Sequence, residues 1–253
     1  MPPMPPISSR IRAFLLHLSA SAILGLSALA LVFWIWYPAP LHRAVGVTEI
    51  FLLLLGVDVV LGPCLTLAVA NPGKKKKELL FDLSLIIAVQ LSAFVYGLHA
   101  VAEGRPVWLV LNTDRVDLVR VLEIDERQLD QALPEYRQAP WSGPEWVFAP
   151  MPEDIETRNT LTLESAFGAS DIYQRPQFYR PLPEGNALLN AKALPLENLK
   201  NFNAEAEVRD ILAVHPDADA WLPLRSNRLL DMVVLVNRKD ARVVSIVNLR
   251  PWY

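Results

Sequence analysis

Cysteine is almost absent from this chain of 253 residues, in which Cys64 is the only one. Cys64 lies in a long apolar stretch, and the chain after residue 103 therefore contains no cysteine, since Cys64 is the only one. This absence excludes a disulfide-stabilised domain, a cysteine protease, a thiol oxidoreductase and a cysteine-rich zinc site in that part. The stability of the C-terminal part must therefore come from packing.

The C-terminal part also lacks the patterns of common catalytic sites. It contains one histidine, His215, and it has no G-x-S-x-G motif, no H-E-x-x-H motif and no phosphate-binding glycine loop. His215, Asp217 and Asp219 are near enough in sequence to chelate a metal, but so short a cluster is more typical of a surface turn at Pro216. We therefore expect no enzyme activity, no metal and no cofactor.

Charged residues are nearly absent from three long stretches, and this scarcity is the strongest signal in the chain. The first stretch has no Asp, Glu, Lys or Arg, the second has only Glu49 and Asp58, and the third has only Asp82 near one end. A helix of this length is about 36 Å long, enough to cross a hydrocarbon core of about 30 Å. The sequence therefore predicts three membrane helices. They cover about residues 13–36, 47–70 and 80–102.

The first stretch has some features of a cleaved signal peptide. Arg10 and Arg12 form a basic start, and residues 28–30 (ALA) have the small-x-small pattern of a cleavage site. However, the apolar run is much longer than a signal peptide requires, and Trp34 and Trp36 continue it as an interfacial aromatic belt. These features favour an uncleaved membrane helix.

Basic residues predict the orientation of the three helices. Arg10, Arg12 and the four lysines at 74–77 lie on one side of the predicted membrane, and only Arg43 opposes them. Because Lys and Arg mark the cytoplasmic side, we expect the N-terminus inside and the C-terminal part in the periplasm. The lysine run is also a pattern of nucleic-acid patches. However, the part after residue 103 has 17 basic and 22 acidic residues, a balance that argues against nucleic acid.

The fold class is therefore a membrane protein with three N-terminal transmembrane helices and a periplasmic α+β domain containing a small, mostly antiparallel sheet. We expect a flexible cytoplasmic lead at 1–12, a membrane anchor at 13–103 and the domain at 104–253. Apolar runs of β-formers and turn residues predict the strands, and helical spacing predicts the helices. The predicted strands are 107–111, 116–121, 146–148 and a hairpin over 229–249 that turns at 237–240. Three helices are predicted, over 126–136, 152–167 and 198–214, and residues 174–185 are predicted to be extended loop. Asp125 caps the first helix. The second has Ile155, Leu163 and Phe167 on its buried side and ends at Gly168.

Asp58 lies near the middle of the second predicted membrane helix, where an ionised side chain is costly by at least about 2.5–3.5 kcal/mol. One interpretation is an internal hydrogen bond to Gln90 or His17. A second is a polar contact for a helix of another protein, and a third is proton or ion transport. The nearby Gly62-Pro63 predicts a kink and, with Gly56, a groove of small residues.

Several long segments resemble the type IV pilin accessory proteins of the TfpX/TfpZ type. They are WYPAPLHRAVGVTEIFLLLLGVDVVLGPCLTL at 36–67, PGKKKKELLFDL at 72–83 and GRPVWLVLNTDRVDLV at 104–119. QRPQFYRPL and the terminal hairpin also look similar, so the resemblance covers nearly the whole chain. The proline-rich start and Cys64 depart from the pattern without touching its main segments.

The resemblance implies a non-enzymatic inner-membrane factor that stabilises or presents one cognate major pilin and modulates pilus assembly or dynamics. Its expected partners are that pilin, the pilus assembly machinery and membrane lipid. The expected contact residues lie in the second membrane helix and where the chain leaves the membrane: Gly56, Asp58, Gly62, Pro63, Arg105, Asp114 and Arg115. Asp114 and Arg115 are also explained by a local ion pair. The alternative function is a membrane-tethered periplasmic sensor or ligand-binding module.

Overall fold

The computed structural model describes residues 9–70 and 74–252, without the side chain of Ser9. Within this part, three helices are long and apolar enough to cross a membrane, as the sequence predicts. Most of the predicted lead at 1–12 and part of the loop before the lysines lie outside the described residues. The helices are α1 (Ser9–Ala30), which continues as a π-helical turn (Leu31–Trp36), α3 (Val47–Val69) and α4 (Lys76–Glu103).

The described residues of 9–34 and 47–102 form one compact unit, the helical unit. Within it, small residues allow close packing: a Cβ on Gly25 would lie 2.9 Å from Leu55 Cδ1. Near the other end of α1, Arg10 donates a hydrogen bond from Nη2 to the carbonyl of Leu67 at 2.9 Å. Such close approach is the usual basis of helix association in lipid, where apolar burial gives no driving force.

Residues 35–46 and 103–252 form the second compact unit, the C-terminal unit. The segment between the first two membrane helices therefore folds with the part that follows the third. It contains the short helix α2 (Leu41–Ala44), and the carbonyl of Ala44 accepts hydrogen bonds from the backbone amides of Leu229 and Leu230, both at 3.1 Å. Both Leu41 and Ala44 are buried in the core of this unit.

The C-terminal unit is built on an eight-stranded sheet. Its strands are β1 (Pro106–Asn112), β2 (Arg115–Arg120), β3 (Glu145–Phe148), β4 (Arg180–Pro181), β5 (Leu194–Pro195), β6 (Ala220–Arg225), β7 (Met232–Asn237) and β8 (Arg242–Val247). Their order is β4-β3-β1-β2-β6-β7-β8, and β5 pairs with β6. The β1–β3 and β2–β6 pairs are parallel and the other five are antiparallel, so the sheet is mostly antiparallel, as predicted. It is larger than predicted, because β4, β5 and β6 lack a clear sequence signal.

Both faces of the central strands are covered, which explains why β1 is buried at every position. Successive side chains point to opposite faces of a strand. Leu109 and Leu111 therefore pack in one core cluster, whereas Trp108 and Val110 pack in another with Tyr179. A continuous apolar run, and not an alternating one, is the pattern of a strand covered on both faces.

The helices of the C-terminal unit differ from the prediction. Instead of one helix over 126–136, there are two short 3-10 turns, Glu126–Gln131 and Pro134–Tyr136. Asp125 does accept from the backbone amide of Arg127, but Gln128 leaves helical geometry. Proline at 134 then removes a backbone donor, which disfavours a continuous helix.

The other predicted helices are shorter, and one more is present. The predicted helix 198–214 is a 3-10 turn (Leu196–Asn201) followed by α7 (Glu205–Ala213). The predicted loop 174–185 contains β4 and several 3-10 turns, and α6 (Asn186–Lys192) follows it.

Helix α5 (Ile155–Ala166) forms where predicted, but it buries a different face. Ile155, Leu163 and Phe167 are exposed, and Leu161 is buried at 4% exposure. Apolar residues occur on both sides of this helix, so spacing alone does not identify the face that packs. Gly168, with a φ of 78°, ends the helix as predicted, because glycine adopts this conformation without a steric penalty.

Candidate functional site

Asp58 lies on α3 and is half-buried among the three long helices. Its Oδ2 atom is buried, and no described residue donates a hydrogen bond to it. A small cavity of about 20 Å³ beside it is lined by all three helices, including Ser21 of α1 and Phe94 of α4. In a membrane, a buried carboxylate oxygen without a donor is costly, so Asp58 is the first candidate for a contact outside this chain.

Gln90 of α4 connects the three helices at this level. Its Nε2 atom donates to Ser21 Oγ at 3.1 Å and to the backbone carbonyl of Asp58 at 2.8 Å. Its Oε1 atom is buried and accepts no hydrogen bond from the described residues. Gln90, one of the two predicted partners of Asp58, therefore binds the backbone carbonyl of Asp58, and Oδ2 of the carboxylate has no donor among the described residues.

His17, the other predicted partner of Asp58, pairs elsewhere. Its Nδ1 atom lies 2.6 Å from Thr66 Oγ1, so it joins α1 to α3 about two helical turns away from Asp58. Hydrogen bonds between the long helices are thus present, but they join His17 to Thr66 and Gln90 to the backbone of Asp58, not either side chain to the Asp58 carboxylate in the predicted way.

The three small or helix-breaking residues of the predicted contact surface do not lie together. A Cβ added at Gly56 would meet no atom within 4 Å, so this glycine faces open space. A Cβ at Gly62 would overlap the side chain of Gln90, so Gly62 provides room for that side chain. Pro63 is buried, and α3 continues through it as one helix. Only Gly62 therefore belongs to the same cluster as Asp58 and Gln90.

An apolar groove lies next to this cluster, between α1 and α4. It has a volume of about 520 Å³, and its walls are mostly aliphatic, including Leu16, Leu24 and Ile87. Its polar lining includes Ser21 and Gln90. One of its lining residues, Gln90, carries an acceptor atom without a donor among the described residues, and Asp58 lies next to Gln90 outside the groove.

Arg105, Asp114 and Arg115 lie at different ends of one hairpin in the C-terminal unit. Arg105 precedes β1; its guanidinium lies 5.9 Å from the ring centroid of Trp36 and donates to the carbonyl of Pro140 at 3.3 Å. Asp114 and Arg115 form the predicted ion pair, at 3.5 Å, in the turn after β1. A seven-residue strand separates the two ends by about 23 Å, so these residues do not form one site.

Asp117, a fully buried acid at the centre of the sheet, is not among the site residues predicted from the sequence. It accepts hydrogen bonds from Asn112 Nδ2 at 2.8 Å, from Arg225 Nε at 2.5 Å and from Arg115 Nε at 3.3 Å. Tyr173 packs over the Arg225 guanidinium at 5.0 Å. An acid between Val116 and Leu118 in a buried strand is the signal by which the sequence reveals it. This network stabilises the β2–β6 junction.

A second group of charges surrounds a polar cavity of about 670 Å³ in the C-terminal unit. Arg127 pairs with Asp125 at 2.6 Å and with Glu164 at 3.0 Å, and Arg175 also pairs with Glu164. Ser170 donates a short hydrogen bond to Asp125. The hydrogen bonds from Arg127, with that from Ser170, hold the pKa of the Asp125 carboxyl well below its usual range.

This lowered pKa predicts a pH-dependent effect of the variant Asp125→Asn. The ionised form of Asp125 is favoured in the folded state, so its contribution is present above the unfolded-state pKa of about 4 and is lost as pH falls through the lower folded-state value. We expect the variant to lower the free energy of unfolding by about 1.5–3 kcal/mol at pH 7. The deficit should shrink below about pH 4.

Urea unfolding of the two full-length proteins at pH 7, 5 and 3 measures this difference. Asp210→Asn is the control, because Asp210 is exposed and forms a surface pair with the neighbouring Arg209 at 3.5 Å. A deficit for Asp125→Asn that stays the same from pH 7 to pH 3 would contradict the prediction.

His215, Asp217 and Asp219 do not converge on a common point. Asp217 pairs with Arg242 at 2.9 Å, and Asp219 accepts from the backbone amide of Arg238 at 2.9 Å. Asp219 therefore binds the turn of the β7–β8 hairpin, and Asp217 binds the start of β8. Across the described ranges, no three His, Cys, Asp or Glu side chains group as metal ligands do.

Comparison with known proteins bears on nearly the whole chain. Residues 5–46 match the family model "Fimbrial assembly protein FimB". A fimbrial assembly protein of serogroup E1 from Dichelobacter nodosus is 33% identical over 240 residues, which cover 92% of this chain and 93% of the relative. The chain belongs to the fimbrial assembly protein family. A serogroup I relative from the same organism is 34% identical over 93% of this chain and 92% of its own length.

Another family member, from serogroups C1 and C2 of the same organism, is 41% identical over 47% of this chain and 88% of its own length. No solved structure matches the chain. Membership of the fimbrial assembly protein family supports the part of the resemblance that concerns fimbriae. Residues 5–46 include α1 and α2, so the family match extends from the first long helix into the segment that folds with the C-terminal unit.

Proposed function

We propose that this protein is a pilin accessory factor of the TfpX/TfpZ type, without enzyme activity, in the inner membrane of a bacterium. It stabilises or presents one cognate type IV major pilin and thereby modulates pilus assembly or dynamics. The relatives named as fimbrial assembly proteins support a role in fimbrial assembly. The helical unit supports the mode of action, in which the long helices hold the apolar helix of the pilin.

The observation that carries this proposal is the pair of acceptors beside the apolar groove. Asp58 Oδ2 and Gln90 Oε1 are both buried and both lack a donor among the described residues. A partner helix that binds there must bring a donor, because a second ionised carboxylate would repel Asp58. The terminal amine of a membrane-bound pilin is such a donor, and its apolar helix suits the groove.

The proposed orientation places the N-terminus and the lysine loop in the cytoplasm and the C-terminal unit in the periplasm. The basic residues at 10, 12 and 74–77 support this orientation. The fold supports two membrane crossings between residues 46 and 103. Residues 35–46 and 103–252 form one compact unit, so both segments must lie on the same side of the membrane. Two crossings, α3 and α4, return the chain to that side. The C-terminal unit is then free to contact the exported head of the pilin or another assembly component.

The variant Asp58→Ala tests the proposed contact. We expect it to reduce the amount of major pilin that co-purifies with the full-length protein from membranes by roughly tenfold, since one such hydrogen bond in a membrane contributes about 1–2 kcal/mol. Glu49→Ala is the matched control, because Glu49 is an exposed acid on the same helix and should leave pilin recovery unchanged. Equal recovery with Asp58→Ala and wild type would remove Asp58 from the contact.

The polar cavity of the C-terminal unit favours a second candidate function, a membrane-tethered sensor or ligand-binding module. Its volume of about 670 Å³ lies within the range of small-molecule sites. This function and pilin binding are compatible, because the cavity and the groove lie in different units.

A further inference from the structure

The cavity of the C-terminal unit is bounded by α5 and by the 3-10 turns Glu126–Gln131 and Pro176–Phe178. Four carboxylates and three guanidinium groups line it. Most of these charges neutralise one another, as in the pairs that Arg127 forms with Asp125 and Glu164. A strongly charged ligand would meet as much repulsion as attraction there, so the lining favours an uncharged polar ligand.

Two polar atoms of the cavity's lining residues lack hydrogen-bond partners in the described part of the chain. Arg175 is 8% exposed, and its Nε atom lies 3.7 Å from Asp125 Oδ2, beyond hydrogen-bond distance. Gln177 donates through Nε2 to Gln128 Oε1 at 3.1 Å, and its own Oε1 atom is buried without a donor. The first atom requires an acceptor and the second a donor. A hydroxyl group is both, and several hydroxyls on one ring satisfy such a pair together.

The remaining lining suits the same class of ligand. Thr157 and Thr160 of α5 add hydroxyls, and Gln131 adds an amide. Phe178 and Leu161 add apolar surface, against which the C–H face of a sugar ring packs. A pocket that is mostly polar, with compensated charge and one aromatic ring, therefore matches a saccharide better than a lipid or an anion.

We propose that this cavity binds a neutral saccharide through Arg175, Gln177 and Phe178. This inference goes beyond the pilin proposal and does not depend on it, because all of its residues lie in the C-terminal unit. The protein would then hold a sugar-containing component of the cell envelope while its long helices act in the membrane.

Saturation-transfer NMR and calorimetry on the full-length protein in lipid nanodiscs test this proposal. Nanodiscs are needed because maltoside and glucoside detergents carry the same chemistry as the ligand. The neutral probes are cellobiose, maltose and N,N′-diacetylchitobiose, and the contrasting probes are glucose 6-phosphate and tetraglycine. We expect binding of at least one neutral disaccharide and no comparable binding of the contrasting probes.

Gln177→Leu should weaken that binding by about 3–10-fold, because one hydrogen bond is lost. Gln138→Leu is the matched control, since Gln138 is an exposed glutamine outside the cavity. If Gln177→Leu does not fold, Thr160→Ala replaces it, because Thr160 is exposed on α5. The proposal is overturned if no neutral disaccharide binds, if only a contrasting probe binds, or if the cavity variant binds like wild type. Pilin recovery is measured on the same samples. Loss of saccharide binding with normal pilin recovery overturns only the saccharide proposal, and the reverse result overturns only the pilin proposal.

Discussion

Cells that lack this protein are expected to lose surface fimbriae and to contain several-fold less total major pilin. The reason is that a pilin without its membrane partner exposes an apolar helix and its donor groups, and loss of a stabilising contact of 1–2 kcal/mol changes abundance several-fold in cells. An immunoblot of the pilin in total and sheared surface fractions measures both quantities. A copy of the gene supplied in trans should restore them.

The two fractions separate stages of action. Loss of total pilin indicates stabilisation before assembly and directs attention to the groove between α1 and α4. Normal total pilin with changed surface fimbriae indicates a role in assembly or dynamics. A copy carrying Asp58→Ala should restore less than a copy carrying Glu49→Ala. If neither fraction changes in the deletion strain, the pilin function is wrong and the ligand-binding function takes its place.

The second large effect is expected from Asp117→Ala in the C-terminal unit. Asp117 is fully buried and accepts from Arg115, Arg225 and Asn112, so its removal leaves two guanidinium groups and a buried amide without their acceptor. Breaking a buried charge network in this way costs about 3–5 kcal/mol. That is a large fraction of the roughly 5–15 kcal/mol by which a domain is stable. We expect the variant to be largely unfolded or rapidly degraded.

Asp114→Ala is the matched control for Asp117→Ala. Asp114 pairs with the same Arg115 at 3.5 Å, but its side chain is 61% exposed, so the change should stay within about 0.5 kcal/mol. Urea unfolding of both full-length variants in nanodiscs, followed by limited proteolysis, compares them. Equal unfolding midpoints for the two variants would show that the Asp117 network does not stabilise the unit.

Local patterns were sufficient where one residue type decides the outcome. The β1–β2 hairpin and the β7–β8 hairpin follow from runs of β-formers on either side of polar turns, and Gly168 ends α5 because it adopts a positive φ. Patterns were insufficient for β6, whose Pro223 is a poor strand residue. That strand exists because β2 and β7 pair with it on either side.

The candidate site shows the same division. The position of Asp58 in an apolar helix identified it as exceptional, because an acid within a long apolar stretch is visible in the sequence and is costly at the centre of a membrane. The identity of its neighbours depends on helix rotation and packing. Of the two predicted partners of its side chain, Gln90 binds the backbone carbonyl of Asp58 and His17 pairs with Thr66. The polar cavity could not be predicted, since its charges come from positions as distant as Asp125 and Arg175.

The sequence by itself determined that this protein has three long apolar helices, a C-terminal unit without disulfides and one acid in the middle of an apolar helix. Each of these features depends on the residue composition of one stretch of chain, which can be counted without knowing how distant residues pack. Only the tertiary structure decided that 35–46 folds with the C-terminal unit, that Asp117 is enclosed by two arginines, and that Asp58 Oδ2 and Gln90 Oε1 lack donors among the described residues. These facts depend on which distant groups meet, and hydrogen bonds act only over a few ångströms.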